Sequence, residues 1–204
     1  MSRVVKVAGA AGSSASAGLS TADVTKLVQD NAEWSLIKRY EVTANISNFV
    51  FPAADFDWAN YWGWKMVFMN NAKYTSGLPY WDVGIQSAAN VGRTGSGSAI
   101  GGTNNTSQIY VTNGDIPASG NLFHTCEMYR DSNDHRWILK WGTGMGLTGG
   151  YWEHATWGYA VLEGGTHASI KTNGMNMQAA GLAPSANGNN YIYLYGSNLT
   201  KGAA

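Results

Sequence analysis

Few side chains in this sequence could bind a metal ion or act as a catalytic nucleophile. The 204-residue chain has 4 histidines and a single cysteine, Cys126. Cys126 lies two residues after His124, which places both side chains on one face if this segment is a strand, and His154 could add a third ligand. The sequence contains no H-E-x-x-H, G-x-S-x-G, phosphate-loop or C-x-x-C motif. We therefore interpret these residues as ordinary core or surface side chains and expect no catalytic residue, metal ion or cofactor.

Acidic side chains offer a second route to catalysis, because glycoside hydrolysis uses two carboxylates on either side of a cleft. Glu127 and Glu153 fall on segments with strand-like sequence, whereas Asp55, Asp57 and Asp82 lie among aromatic residues. Any two of them could form such a pair, and nothing in their spacing singles one pair out. We expect a protein without enzymatic activity and keep a glycan-degrading enzyme as the second alternative.

Aromatic residues are the most informative feature of the sequence. The segment FDWANYWGW at 56–64 concentrates rings beside polar residues, in a stretch where Pro52 and Gly63 suggest a loop. Sugar recognition uses such a combination, because the C–H faces of a sugar stack on flat rings while polar groups bind its hydroxyls. The alternative, which we favour, is that these rings form the core or a subunit interface. The candidate glycan-binding residues are Trp58, Asn60, Tyr61 and Trp62.

A second aromatic segment, YWEHATWGY, occupies residues 151–159. Strand alternation places Trp157 and Tyr159 on one side, and Trp152 and His154 on the other. Neither face of this strand is therefore expected to be a plain solvent-facing surface.

The composition excludes several classes of protein. Lys plus Arg and Asp plus Glu number 13 each, so the net charge is zero, whereas broad nucleic-acid binding requires a basic excess. Only 13% of the residues are charged, and low charge density near neutrality favours self-association. One cysteine cannot form an intramolecular disulfide. We find neither the pattern of a secretory signal nor a run of about 20 apolar residues, and we expect no nucleic acid partner and no membrane span.

The N-terminal segment, residues 1–33, differs in composition from the rest and is predicted to be an arm followed by an attachment helix. Residues 1–18 are rich in Gly, Ala and Ser, so they bury too little surface to offset the entropy lost on ordering. A helix is predicted from about residue 21 to 30, with Ser20 or Thr21 as its N-cap. The alternative is an N-terminus that folds back on its own domain. The residues expected to contact a partner through the arm and the helix are Val4, Val5, Val7, Val24, Leu27 and Val28.

Residues 34–204 have the texture of an all-β domain. Short alternating segments separated by Gly, Asn and Ser predict roughly nine to eleven strands. The stretch 87–120 is predicted to be mostly loop with one short strand at 108–112, and residues 167–178 are assigned to a late strand. The pattern predicts an antiparallel β-sandwich, of the jelly-roll type, preceded by the extended arm and one short α-helix.

Two segments resemble parts of tailed-bacteriophage virion structural proteins. The end of the chain, NNYIYLYGSNL at 189–199, is similar to the I-x-L-Y-G strand that closes the compact jelly-roll domains of such proteins; here the match is Ile192-Tyr193-Leu194-Tyr195-Gly196. The segment GLSTADVTKLVQDNAEW at 18–34 resembles an attachment segment in which a Gly-rich arm precedes L-S-x-x-D-V-x-x-L and a tryptophan. The middle of the chain carries no matching motif.

The resemblance implies a virion protein that assembles in the host cytoplasm as a homo-oligomer, with a homotrimer expected. Its arm would contact neighbouring subunits or other virion proteins, and Val4–Val7 could add a strand to a partner's sheet edge. A tail fibre or fibre-like appendage is favoured over a head decoration, and the displayed domain could contact a host-surface glycan. A stand-alone carbohydrate-binding, lectin-like module is the alternative from another class.

Overall fold

The computed structural model describes residues 32–73, 80–82, 88–95, 98–103, 108–111, 121–130, 136–146, 152–163, 165–184 and 190–197. Strands dominate these residues, so the protein is mainly β, as the sequence predicts. The strands are β1 (Trp34–Glu41), β2 (Ile46–Phe51), β3 (Gly63–Lys73), β4 (Tyr80–Asp82), β5 (Ala88–Gly95), β6 (Ser98–Thr103), β7 (Gln108–Tyr110), β8 (Asn121–Arg130), β9 (Arg136–Gly146), β10 (Trp152–Glu163), β11 (Met175–Ala183) and β12 (Tyr191–Ser197). A 3₁₀ turn spans Ala53–Phe56, and an α-helix, α1, spans Gly165–Asn173.

Part of the predicted organisation falls outside the described residues. This applies to the arm at 1–18, to the helix expected at about 21–30, and to their predicted contact residues Val4, Val5, Val7, Val24, Leu27 and Val28. In the part of the chain that is described, no helix is both long enough and apolar enough to cross a membrane.

The described strands form two antiparallel sheets. The larger sheet has the order β6-β5-β10-β9-β8-β3-β12-β1, and the smaller has the order β2-β11-β4-β7. They are continuous at one corner, where Ala72 and Lys73 at the end of β3 pair with Ala183 and Leu182 of β11. The register of β3 against β8 shifts just before this corner, and such an irregularity lets a strand bend from one sheet into the next.

Aromatic side chains join the two sheets in a sandwich-like arrangement. Phe51 of β2 lies 5.8 Å, centroid to centroid, from Phe68 of β3. Trp81 of β4 lies 6.0 Å from the same Phe68 ring. All three side chains are fully buried, so the core lies between the sheets, and the burial of these rings is a main source of its stability.

Alternation along the strands separates the two faces of the larger sheet. On β9, Trp137 and Leu139 are buried, whereas Ile138 between them is 51% exposed. On β12, Ile192 and Leu194 are buried, and the tyrosines beside them are partly exposed. This period of two is the signature of an antiparallel sheet with one packed face and one solvated face.

The prediction of a mostly irregular stretch at 87–120 is wrong in part. This region contributes β5 and β6, which pair with each other and extend the larger sheet from β10. Their sequence, AANVGRTG and SAIGGT, has low intrinsic strand propensity. Pairing to a strand already in the sheet overrides that local preference, which single-sequence reasoning does not detect.

The prediction of a strand across 167–178 is also wrong in its first half, where α1 forms. The helix ends at an αL cap: Gly174 has φ +83°, and its N–H donates to the carbonyl of Ile170 at 2.8 Å. A Cβ at Gly174 would lie 2.0 Å from the carbonyl oxygen of Phe51. The Asn173-Gly174 pair therefore ends a helix rather than turning a hairpin, and β11 begins directly after it.

Candidate functional site: two aromatic regions of the larger sheet

The four residues predicted to bind a glycan all lie on the turn between the 3₁₀ turn and β3. Asp57, with φ 49° and ψ 60°, ends the 3₁₀ turn in the left-handed conformation. Its carbonyl accepts hydrogen bonds from the N–H groups of Asn60 (3.1 Å) and Tyr61 (3.2 Å). The side-chain amide of Asn60 donates to the Asp57 carboxylate at 2.8 and 2.9 Å. The structure thus brings the predicted residues together on one tightly bonded turn.

Trp58, however, is packed rather than presented. Its ring stacks on Phe56 at 4.8 Å with an interplanar angle of 11°, and on Trp137 at 5.4 Å with an angle of 30°. The ring centroid of Trp64 lies 4.6 Å from that of Trp58. The Nε1–H of Trp58 donates to the carbonyl of Ala53 at 2.9 Å. We call Phe56, Trp58, Trp64 and Trp137 the tryptophan cluster. Since two rings stack on Trp58, its faces are already occupied within the molecule.

A partly buried arginine anchors the turn to the tryptophan cluster. Nη2 of Arg130 donates to the carbonyl of Trp58 at 2.6 Å. Its guanidinium lies 4.6 Å from the ring centroid of Trp62 and 5.6 Å from that of Trp64, a cation–π arrangement. Burial lowers the pKa of Arg130. Burial also lowers the pKa of Lys171 on α1, which the positive charge of Arg130 lowers further.

Tyr61 has a structural contact of its own. Its ring covers Gly196 of β12, where a Cβ would lie 2.5 Å from the ring atoms. Tyr61 and Trp62 are partly buried, and only Asn60 of the four predicted residues is exposed. The predicted glycan site therefore has the right residues in one place, but three of its members pack against the domain.

The predicted pairing of His124 with Cys126 on one strand face is confirmed, because both side chains of β8 are fully buried in the core. The indole N–H of Trp81 donates to His124 Nε2 at 3.0 Å. Nε2 must then be the unprotonated nitrogen, so Nδ1 carries the proton and donates to Thr143 Oγ1, 2.7 Å away. Burial lowers the pKa of His124 to about 3 and raises that of Cys126.

This histidine therefore connects the sheets and is not arranged as a metal ligand. Trp81 belongs to the smaller sheet, whereas His124 and Thr143 belong to adjacent strands of the larger sheet. Among the described residues, no group of three His, Cys, Asp or Glu side chains is placed to hold a metal ion. The side chain of His154, the third ligand considered from sequence, lies outside the described part.

Three of the carboxylates considered for catalysis are held by neighbours. Asp55 accepts from Lys38 Nζ and from the Tyr40 hydroxyl, each at 2.8 Å, and burial together with this carboxylate raises the pKa of Tyr40. The Asp57 carboxylate accepts hydrogen bonds from the side-chain amide of Asn60, as described above. Glu127 lies on the other face of the larger sheet, and the side chain of Glu153 is outside the described part. These contacts give no support to a catalytic pair.

The side of the larger sheet that faces away from the smaller sheet carries a different set of aromatic side chains. We call it the outer face. Trp157 is 56% exposed and Tyr159 is 53% exposed. Both lie on β10, two residues apart, as strand alternation predicts. Further exposed apolar side chains on the outer face are Leu36, Phe123 and Ile138.

Cross-strand pairing places the two residues between β9 and β5, where Trp157 faces Thr94 and Tyr159 faces Gly92 on the β5 side. Trp157 is paired with Gly142 of β9, and Gly142 is paired with Thr125 of β8. Because Gly142 has no side chain, the residue paired with Trp157 on β9 places no side chain beside the ring. Tyr159 is paired with Lys140, and Lys140 is paired with Glu127.

Two ion pairs and one hydrogen bond hold Glu127 at the centre of the outer face. Its carboxylate lies 3.5 Å from Lys65 Nζ and 4.0 Å from Lys140 Nζ. The Tyr129 hydroxyl donates to it at 3.2 Å, and burial with this carboxylate raises the pKa of Tyr129 to about 12. Charged and hydroxyl groups thus stand beside the exposed rings.

Tyrosines of β12 continue the outer face toward β1. The rings of Tyr191, Tyr193 and Tyr195 follow one another at 6.3 and 6.1 Å, and the Arg39 guanidinium lies 4.3 Å from the Tyr191 ring centroid. These rings pack against each other and are only partly exposed. The Tyr-x-Tyr-x-Tyr spacing at 191–195 is therefore a ladder of mutual contacts along one strand.

Sequence reasoning placed Trp157 and Tyr159 together but did not choose them as a site. Alternation within β10 was sufficient to predict that they share a side. Which side is exposed depends on the pairing of β10 with β9 and β5, and these contacts are not written in the local pattern. Arg130, which closes the tryptophan cluster, gave no signal at all.

Comparisons of the chain with protein-family models, with curated proteins and with solved structures found no match.

Proposed function

We propose that this chain is a non-enzymatic bacteriophage virion structural protein that is anchored by residues 1–33 and displays its β-sandwich on the particle surface. A tail fibre or fibre-like appendage is favoured over a head decoration. The arm would bind other virion proteins, and the chain would assemble with itself, in a homotrimer. The zero net charge and the 13% share of charged residues support self-association.

The strand order is the observation that supports this proposal most, because it is the order expected of a jelly roll. The order β1-β12-β3-β8 and the order β2-β11-β4-β7 are the two four-stranded sheets that a jelly roll would have. Along the chain, β1 and β3 belong to the larger sheet, and β2 and β4 to the smaller. Viral capsid domains and lectins share this architecture, although a fold alone does not determine function.

Two insertions account for the remaining strands in this interpretation. β5 and β6 follow β4, and β9 and β10 follow β8; all four extend the larger sheet beyond β8. Removing them leaves four strands in each sheet. The extension supports a display role, since it adds a wide outer face to a sandwich of minimal size.

Antibodies raised against the full chain test the proposal on purified phage particles. Immunogold labelling is expected at one structural position, with the tail favoured over the head. Sedimentation equilibrium of the purified chain is expected to give the mass of an oligomer. A chain that labels no particle and sediments as a monomer would contradict the proposal.

A stand-alone carbohydrate-binding module is the second candidate, because Trp157 and Tyr159 expose more than half of their side-chain surface beside polar groups. Particle labelling and sedimentation equilibrium also distinguish this module from a virion structural protein. A module of this kind would bind sugar as a monomer and would be missing from particles.

A further inference from the structure

We propose that the outer face binds a glycan, with sugar rings stacked on Trp157 and Tyr159 and with sugar hydroxyls bonded to the Glu127–Lys140 pair. This inference deepens the proposed display function, on which it rests, by naming the ligand class and the residues. It also moves the glycan site from the turn at 57–62 to the opposite side of the larger sheet.

Exposure of the rings is the first argument. A sugar can stack only on a ring whose face reaches solvent, and Trp157 and Tyr159 are 56% and 53% exposed. The corresponding test fails for Trp58, whose ring is stacked on both Phe56 and Trp137. Residues two apart on one strand lie about 7 Å from each other, so neighbouring sugar rings of one chain could reach both aromatic rings.

The neighbouring backbone is the second argument. Gly142 stands directly across from Trp157 on β9, and among the described residues a Cβ there would meet Thr125 Oγ1 alone, at 3.7 Å. On the β9 side, therefore, the residue paired with Trp157 has no side chain that would keep a ligand away from the sheet surface. Thr125, in the same row, offers a hydroxyl to a sugar held there.

Fixed polar groups are the third argument. Glu127 forms ion pairs with Lys65 and Lys140 and accepts a hydrogen bond from the Tyr129 hydroxyl, so its carboxylate is held in place before a ligand arrives. Lys140 keeps 71% of its side chain exposed and lies in the row of Tyr159. A carboxylate and an ammonium group side by side can accept from and donate to adjacent hydroxyls of one sugar.

The chemistry of this surface favours a glycan over a second protein copy. Cores of protein interfaces are depleted of Lys and Glu, whereas here Glu127, Lys65 and Lys140 lie between the rings and the centre of the sheet.

Affinity electrophoresis of the full chain tests the inference, in gels cast with bacterial surface polysaccharides of neutral, amino-sugar and uronic-acid composition. At least one of them is expected to retard the protein. Trp157→Ala and Tyr159→Ala should each weaken the apparent affinity by about tenfold or more, since removal of a central aromatic ring commonly costs that much. Trp157→Phe, which keeps a stacking ring, should retain most of the binding.

Leu36→Ala is the matched control, because Leu36 is 54% exposed on the same face but lies on β1, at the far side of the sheet. Its retardation should equal that of the unaltered chain. Absence of retardation in every gel, or retardation that survives the Trp157→Ala/Tyr159→Ala double substitution, would overturn the inference. So would conversion of an oligomer to a monomer by the double substitution, because the outer face would then be a contact between copies.

Failure of this inference is separable from failure of the proposed function. Particles that incorporate the chain but do not need its outer face for glycan binding would leave the virion role standing. A chain that binds polysaccharide through Trp157 and Tyr159 but labels no particle would instead support the stand-alone module.

Discussion

The tryptophan cluster and the outer face use the same residue type for different purposes. Trp137 lies on β9 and is fully buried against Trp58 and Trp64. Trp157 lies on the next strand of the same sheet, β10, and exposes 56% of its side chain. Because consecutive side chains of a strand alternate between faces, the two rings lie on opposite faces of the sheet.

This difference shows why counting aromatic residues does not locate a binding site. The densest aromatic segment, 56–64, supplies Phe56, Trp58 and Trp64 to internal stacking, where they contribute hydrophobic burial and favourable ring contacts. The rings on β10 are more than half exposed, and a glycine and a lysine face them on β9. Accessibility, rather than density, distinguishes a candidate site from a packed cluster.

The largest expected effect is the difference in the free energy of unfolding between Trp137→Ala and Trp157→Ala. Trp137→Ala should lower the free energy of unfolding by about 3–5 kcal/mol, because it removes a buried ring and leaves a cavity between Trp58 and Trp64. Trp157→Ala should lower it by about 1 kcal/mol or less, because most of that ring is in solvent. Urea unfolding followed by far-UV circular dichroism measures both, and equal losses would show that Trp157 is part of the packed core.

The local alternation of apolar and polar residues was sufficient to predict much of the fold. Alternation in WSLIKRYE, LFHTCEMYR and YIYLYGS predicted β1, β8 and β12, because each has one face in the core. It failed for β5 and β6, whose formation depends on pairing to β10 rather than on their own side chains. It failed for α1 because the helix sequence, GTHASIKTN, has no clear apolar face with a helical period.

The candidate sites show the same division between local and distant information. Trp58, Asn60, Tyr61 and Trp62 were found together because they are close in sequence. The turn is packed against the domain by Arg130 and Trp137, which lie about 70 or more residues away along the chain. No reading of residues 56–64 alone could have predicted that.

We expect the buried His124, on the inner side of the larger sheet, to make the folded state less stable in acid. His124 is neutral and buried, with a pKa of about 3 against 6.5 for the ordinary side chain. Between these values the unfolded chain binds a proton that the folded chain does not, so stability should rise with pH across this window. The folded state should lose roughly 3 kcal/mol between pH 7 and pH 4 through this one group.

Urea unfolding at a series of pH values measures this loss. His124→Gln should flatten the pH dependence, since glutamine does not titrate and its carbonyl can accept from Trp81. Trp157→Ala on the outer face should leave the slope of the unaltered protein unchanged. A slope that persists in His124→Gln would assign the acid sensitivity to other groups.

The smallest expected effects come from alanine substitutions at two glycines, one on each face of the larger sheet. At Gly196, on the inner side under Tyr61, an added Cβ would lie 2.5 Å from ring atoms. Gly196→Ala should therefore destabilise the domain by about 1–3 kcal/mol, because the Tyr61 ring must move out of its packed position. At Gly142, on the outer face, the same methyl group meets Thr125 Oγ1 at 3.7 Å, an ordinary contact and the closest one among the described residues. Gly142→Ala should leave stability unchanged or raise it slightly, since alanine has less backbone freedom to lose on folding.

A double-mutant cycle identifies the cause of the Gly196 effect. In a Tyr61→Ala background the obstructing ring is absent, so Gly196→Ala should cost clearly less than it does in the unaltered chain, and the difference is the coupling energy between the two sites. A cost that stays the same in both backgrounds would place the strain in the β12 backbone and not in the ring of Tyr61. Gly142→Ala should show no coupling to Tyr61, because it lies on the other face of the sheet.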